Sequence, residues 1–316
     1  MWSEPVRDGS LSAEVATWTR RTRFELVHRL PLRFATNHPQ GMAFAAGRIF
    51  LTTVEVLDPP RPLPDADGDP ARRTPGRGRG HVLVIEPDGT LAADLIVGDG
   101  DAYHPSGIDH AGSLLWVPVG EYRADSRSVV YTLDPHSLEL TERFEVDDHI
   151  TWLAPAPESG TLYGASWGSR RLYRWNLDAG AAVRESEVWD NPSWHVDFQE
   201  AQYDGGSRLI CGGIAELPDA EGAKYELGGL TVLDFSARRI EAEVPVPVFS
   251  AAGHSVLRNP FVLTRDSDGT PLLHVAPDDG DEVAGTEILT YRVVNSVAPR
   301  RPSGALHEIA GTMGPA

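Results

Sequence analysis

Five histidines open five similar stretches of this sequence: His38 (HPQGMAF), His104 (HPSGIDH), His149 (HITWLAP), His195 (HVDFQEA) and His254 (HSVLRNP). One histidine per stretch, at one position in the stretch, is a pattern that ordinary core packing does not produce. Imidazole nitrogen suits iron, copper, manganese, nickel and zinc, whereas calcium and magnesium prefer oxygen. Five such rings converging on one point would supply a transition-metal ion with ligands at about 2.0–2.2 Å. The expectation is one mononuclear metal, iron or copper first, with manganese, nickel or zinc also compatible. His38, His104, His149 and His254 are the preferred ligands. His195, which follows Trp194, is both the fifth candidate ligand and a candidate acid or base.

Carboxylates recur downstream of four of the five histidines. Glu55, Glu121, Glu216 and the pair Asp278 and Asp279 end apolar runs, and Asp197 lies two residues after His195. Carboxylates outside a ring of imidazoles usually take the outer N–H and fix each ring's tautomer and aim. Asp147 and Asp148, just before His149, are further candidates. Tyr122, Trp152, Trp167 and Trp194 are expected to line a substrate pocket. Arg123 and Arg170 would hold an anionic group, and His195, Glu121 and Arg123 form the expected catalytic set.

What positions these residues is a repeat. After each histidine comes a second apolar run: GRIFLTTVE (47–55), SLLWVPVGE (113–121), GTLYGASWG (160–168), SRLICGGIAE (207–216) and PLLHVAPDD (271–279). A third follows in all five units and a fourth in four of them, each of strand length and bounded by turn residues. Histidine spacings of 66, 45, 46 and 59 residues suit four-stranded propeller blades. The fifth unit lacks a fourth strand, and TRFELVHRLPL (22–32) has no blade of its own.

The expected fold is therefore all-β, a five-bladed β-propeller of four-stranded blades whose ring is closed by the N-terminal strand 22–32. One domain spans 22–294. Its blades cover about 38–98, 104–148, 149–190, 195–246, and 254–294 with 22–32. Residues 1–21 and 295–316 are expected as tails. The Pro-, Gly- and Arg-rich insertion 57–80 is expected as a flexible, lid-like loop over the histidine end of the axis, and 217–228 occupies the same slot in blade four.

Composition agrees with many short strands joined by turns, with 31 glycines and 25 prolines. A net charge of −18 argues against nucleic acid and anionic membranes as partners. The single cysteine, Cys211, excludes an internal disulfide framework and fits a reducing, cytoplasmic setting. Gly164-Ala165-Ser166-Trp167-Gly168 matches a serine nucleophile motif in form only, since a strand runs through it and no helix follows. Arg72, Arg73, Arg77 and Arg79 look like an RNA-binding tail, but the acidic chain argues against that role.

The run YHPSGIDHAGSLLWVPVGEYRADSRSVVYTLDP (103–135), with SWGSR (166–170), RNPF (258–261) and PDDGDEVAGTE (277–287), resembles an uncharacterised family of microbial β-propeller proteins. The likeness covers most of residues 30–294 and implies the fold. In site design alone, histidines at blade starts with outer glutamates are similar to the carotenoid-cleaving oxygenases, larger propellers with four histidines on non-haem iron. The first expectation for function is thus a metal-dependent oxidoreductase or oxygenase acting on a small organic molecule. The second is a calcium- or magnesium-dependent hydrolase or lyase, with Glu55, Glu121, Asp197 and Asp278 holding the ion and His104 or His254 as general base. The third is a non-catalytic binding propeller whose histidines fill the channel.

Overall fold

Each apolar run pairs antiparallel with its neighbour in sequence, and most of the turns that return the chain, such as those at Gly47, Gly89 and Gly269, are short and carry Gly or Asp. The computed structural model describes residues 2–64, 72–280 and 285–294. The tail 295–316 and the tip of the 57–80 insertion, residues 65–71, lie outside the described residues.

Strand β1 (Arg23–Leu32) comes first. Blade one follows with β2 (His38–Ala45), β3 (Arg48–Asp58), β4 (Arg77–Ile85) and β5 (Leu91–Val97). In blade two the innermost strand is split into β6 (Ala102–Pro105) and β7 (Asp109–Ala111), then come β8 (Leu114–Glu121), β9 (Ser128–Leu133) and β10 (Leu140–Val146). Blade three is β11 (Ile150–Ala156), β12 (Thr161–Ser166), β13 (Arg171–Leu177) and β14 (Val183–Asp190). Blade four is β15 (Asp197–Gly205), β16 (Arg208–Pro218), β17 (Lys224–Asp234) and β18 (Arg239–Pro245). Blade five has β19 (Phe261–Arg265), β20 (Pro271–Val275) and β21 (Thr286–Val294), and β1 pairs with β21 to complete it. The protein is a five-bladed β-propeller closed by its N-terminal strand, as the missing fourth strand of the last repeat implied.

Burial explains why the strands read as they do. Middle strands such as β4 and β16 are sandwiched between neighbouring blades and carry near-continuous apolar runs. Outermost strands such as β5 and β14 are wetted and largely exposed. Five buried clusters fill the ring. Phe50, Val82 and Val117 join blades one and two, and Trp116, Ile150 and Trp175 join two and three. Tyr163, Phe198 and Phe235 join three and four, and Leu230, Phe261 and Leu289 join four and five. Phe44, Ile49 and Ile288 join five and one.

The stretch expected as an N-terminal tail is packed. A short helix α1 (Ser10–Val15) and the turn after it bury Leu11, Val15 and Trp18 against blades four and five, while Trp2 inserts between blades five and one. Their spacing, with Leu11 and Val15 one helical turn apart, was the signal for this packing. Between Trp2 and α1, Arg7 closes the far end of the central channel. Its guanidinium pairs with both oxygens of the buried Asp109 and donates to the Tyr203 and His110 carbonyls.

The insertion 57–80 is more ordered at its base than its composition suggests. Leu63 and Thr74 bond Arg72 and Arg61 across it, extending the β3–β4 hairpin. Gly78 presses on the Tyr103 ring, whose hydroxyl donates to the Pro75 carbonyl at 2.6 Å. The 217–228 slot is likewise a β16–β17 hairpin turned at Asp219. Cys211 is fully buried and unpaired. Among the described residues no helix is long and apolar enough to cross a membrane.

Candidate functional site

One bulge repeats along the inner strands. Gln40 in β2, Thr151 in β11 and Gln199 in β15 are each an extra residue opposite a single partner on the next strand. Such bulges bend the strand and re-aim side chains. All three residues line a cavity of about 220 Å³ at the mouth of the channel. Two residues before each bulge stand His38, His149 and Asp197, which line the same cavity with His104, Tyr122, Trp167, Arg258 and Asn259.

This register accounts for the five histidines. His38, His104 and His149 are brought together; His195 and His254 are not. In blade four the position equivalent to His38 is Asp197, two residues after His195. The His195 ring instead packs on β17, so close that a methyl group on Gly229 would lie 2.5 Å from its Cε1. His254 precedes the first inner residue of blade five by seven positions and bonds Glu226 Oε1 through Nδ1 at 3.1 Å. The mouth of that blade is built by Arg258 and Asn259. Among the described residues, no group of three or more His, Cys, Asp and Glu side chains is spaced to hold a metal ion. The likeness to the four-histidine iron oxygenases therefore does not extend to the geometry of the site.

The imidazoles differ in their partners. His38 Nδ1 lies 2.7 Å from Asp279 Oδ1. The same oxygen accepts the Asn259 amide at 2.9 Å, and Arg258 Nη2 stands 3.7 Å from Oδ2. Burial alone would raise the Asp279 carboxyl. The His38 bond and charge, followed by Arg258 and Asn259, outweigh it and hold the group below the usual carboxylate range. His149 is fully buried and its Nδ1 lies 2.7 Å from the Glu121 carbonyl. Burial pushes its pKa down to about 4, against the raising effect of that bond. His104 is also buried, and neither of its ring nitrogens has a hydrogen-bond partner among the described residues. Burial, then His149, His38 and Arg73, drive its pKa well down, so both inner imidazoles are neutral at pH 7.

Aromatic rings frame the pair. Tyr122 lies on His104 with centroids 4.2 Å apart, and Trp167 meets His149 edge-on at 4.8 Å. Both aromatics directly follow second strands, at the expected mouth of the channel. Trp152 is wholly buried between blades and does not line the cavity, and Trp194 is 79% exposed with Arg170 stacked on it. Arg170 also pairs with Asp197 at 3.1 Å.

The outer carboxylates are committed elsewhere. Glu121 bonds Arg123, Glu55 bonds Arg79, Glu216 bonds Lys224 and Asp278 bonds Ser250. Asp148 takes the Tyr173 hydroxyl and Arg171. The carboxylate that orients a cavity histidine is Asp279, paired with Asp278 in the sequence reading. Neither Arg73 nor Arg258 stands out in the sequence as a site residue, and nothing in the proline-rich insertion singles out one arginine among five.

A comparison with curated proteins finds no match. Among solved structures, the major allergen Mala s 1 of Malassezia sympodialis has a TM-score of 0.51 at 10% identity, covering 86% of this chain and 97% of that one. The luciferin-regenerating enzyme (TM-score 0.45, 12% identity, 87% and 96% covered) is more distant in shape. So is a periplasmic gluconolactonase of Pseudomonas aeruginosa (0.38, 15%, 84% and 72%). These likenesses bear on the propeller fold alone. Residues 8–295 match the profile of a family of unknown function, DUF6454, and the chain belongs to that family.

Proposed function

We propose that the protein is an enzyme that moves a proton to or from a small organic molecule, or to activate water, in the cavity at the propeller mouth. The observation that carries this reading is the His38–Asp279 bond of 2.7 Å at the cavity wall. An ionised carboxylate on Nδ1–H fixes the tautomer and leaves the Nε2 lone pair as the acceptor of a proton. Neutral His104 and His149 beside it offer an N–H or a lone pair without adding charge. Hydrolysis and β-elimination both fit this arrangement, with His38 in the role of general base and Asp279 as its positioning residue.

A second reading keeps a metal. His38 and His149 each have Nδ1 engaged by a carboxylate or carbonyl, the usual condition of a histidine that ligates through Nε2. His38, His104 and His149 would then hold an iron or copper ion that supplies redox chemistry, once the three rings move closer together.

The test is a screen of esters, lactones and β-substituted acids with chelator-treated protein, followed by the variants His38→Ala and Asp279→Asn. Loss of about 10²–10⁴-fold in kcat for His38→Ala, with a smaller loss for Asp279→Asn, is the expected outcome. Full turnover in His38→Ala would overturn the proton-transfer reading. Activity that disappears with chelator and returns with iron or copper would favour the metal.

A further inference from the structure

The other arginines near the mouth have counter-charges: Arg170 with Asp197, Arg123 with Glu121, Arg79 with Glu55, and Arg258 beside Asp279 and Glu226. Arg73 differs. Its guanidinium carbon lies 5.0 Å from the centroid of Tyr122 and 4.7 Å from that of Trp167, and its Nε has no hydrogen-bond partner among the described residues. No carboxylate is paired with it among those residues. Two aromatic faces hold a half-buried cation in place without neutralising it. The same two rings back onto His104 and His149. Arg73 thus stacks on the two aromatics that line the cavity together with the two imidazoles.

His104 supplies an independent sign of a ligand. It is 4% exposed, and both ring nitrogens are buried without partners among the described residues. One of them must carry a proton, so an N–H donor faces no acceptor, and such groups are rare unless something else satisfies them. A buried donor beside an unpaired cation calls for an anionic oxygen.

We propose that the ligand of this cavity is a small organic monoanion, a carboxylate, held by the Arg73 guanidinium with the His104 N–H as a second donor. Arg73 brings a single cation with no paired carboxylate among the described residues, and that one charge sets the class. Arg258 is offset by two carboxylates and both inner imidazoles are neutral, so a dianion would leave one charge unmatched. The planar fork of arginine matches a carboxylate with two parallel bonds. Arg73 is then a specificity-determining residue carried by the β3–β4 hairpin. This inference rests on the proposed function only in placing the ligand in the same cavity.

Calorimetric titration of the full-length protein with acetate and benzoate, and with the neutral acetamide and benzamide, tests it. Benzoate is expected to bind at least tenfold more tightly than benzamide. Arg73→Gln should weaken benzoate at least tenfold and erase that preference. Arg72→Gln, the same charge change one residue away, should shift it less than twofold, with thermal melting confirming that both variants fold. Equal binding of benzoate and benzamide, no binding of either carboxylate, equal effects of the two variants, or a preference for phenyl phosphate over benzoate would each overturn the inference. Asp279→Asn separates it from the proton-transfer reading. If that variant abolishes turnover while the Arg73 signature is absent, the anion fails and the base stands; the reverse result removes the base and keeps the anion.

Discussion

The neutral state of His149 carries a measurable cost. Its folded pKa of about 4 lies below the ordinary 6.5, so below pH 6.5 the unfolded chain takes up a proton that the folded chain refuses. The stability that depends on this ring is fully present above pH 6.5 and is lost as pH falls toward 4. The gap corresponds to an upper figure of roughly 3 kcal/mol. Urea unfolding of wild type and His149→Gln across pH 4–7 reads it. The difference between them should narrow in the variant's favour as pH falls through that window, and parallel curves would show that the ring titrates alike in both states. Such a cost is retained where a neutral imidazole is used, and here His149 keeps an uncharged wall beside Arg73 and His104.

At the scale of strands, a five-bladed ring has a narrow axis, and its inner strands meet there almost backbone to backbone. A Cβ on Gly41 would stand 2.5 Å from the Ser106 carbonyl oxygen and 2.7 Å from the Ile108 nitrogen. Gly41→Ala must therefore push β2 away from the split strand of blade two, costing about 1–3 kcal/mol, and a fall in the urea midpoint checks it. Because Gly41 follows the bulge at Gln40, the same variant should also weaken any ligand bound at the mouth. Strand count and ring closure were legible in the sequence, because short apolar runs between turn residues and the orphan strand 22–32 have few other uses. The site was legible for His38, His104, His149, Tyr122 and Trp167. In blades four and five it was only partly legible: Asp197 stood out as a carboxylate near His195, but taking His195 and His254 as the equivalents of His38 hid that Asp197 holds that place and that Arg258 and Asn259 build the mouth of blade five. A bulge is decided by pairing between strands, which one strand's sequence does not display.

Across the molecule, the segment before β1 belongs to the fold. Trp18 is 4% exposed and sits with Leu11 and Val15 in the cluster between blades four and five. Trp18→Ala should cost about 3–5 kcal/mol, as for other buried tryptophans, and a near-neutral result in denaturant unfolding would mean that the segment is only loosely attached. The ring itself is joined where Arg23 pairs with Val294 and Leu32 with Thr286, so its first and last strands in chain order close it. Among the strands of the ring β1 is made first, and it has no partner until the last blade has followed it. Throughout synthesis the growing chain carries an unclaimed strand edge at each end of an open arc, and only the final hairpin turns that arc into a circle.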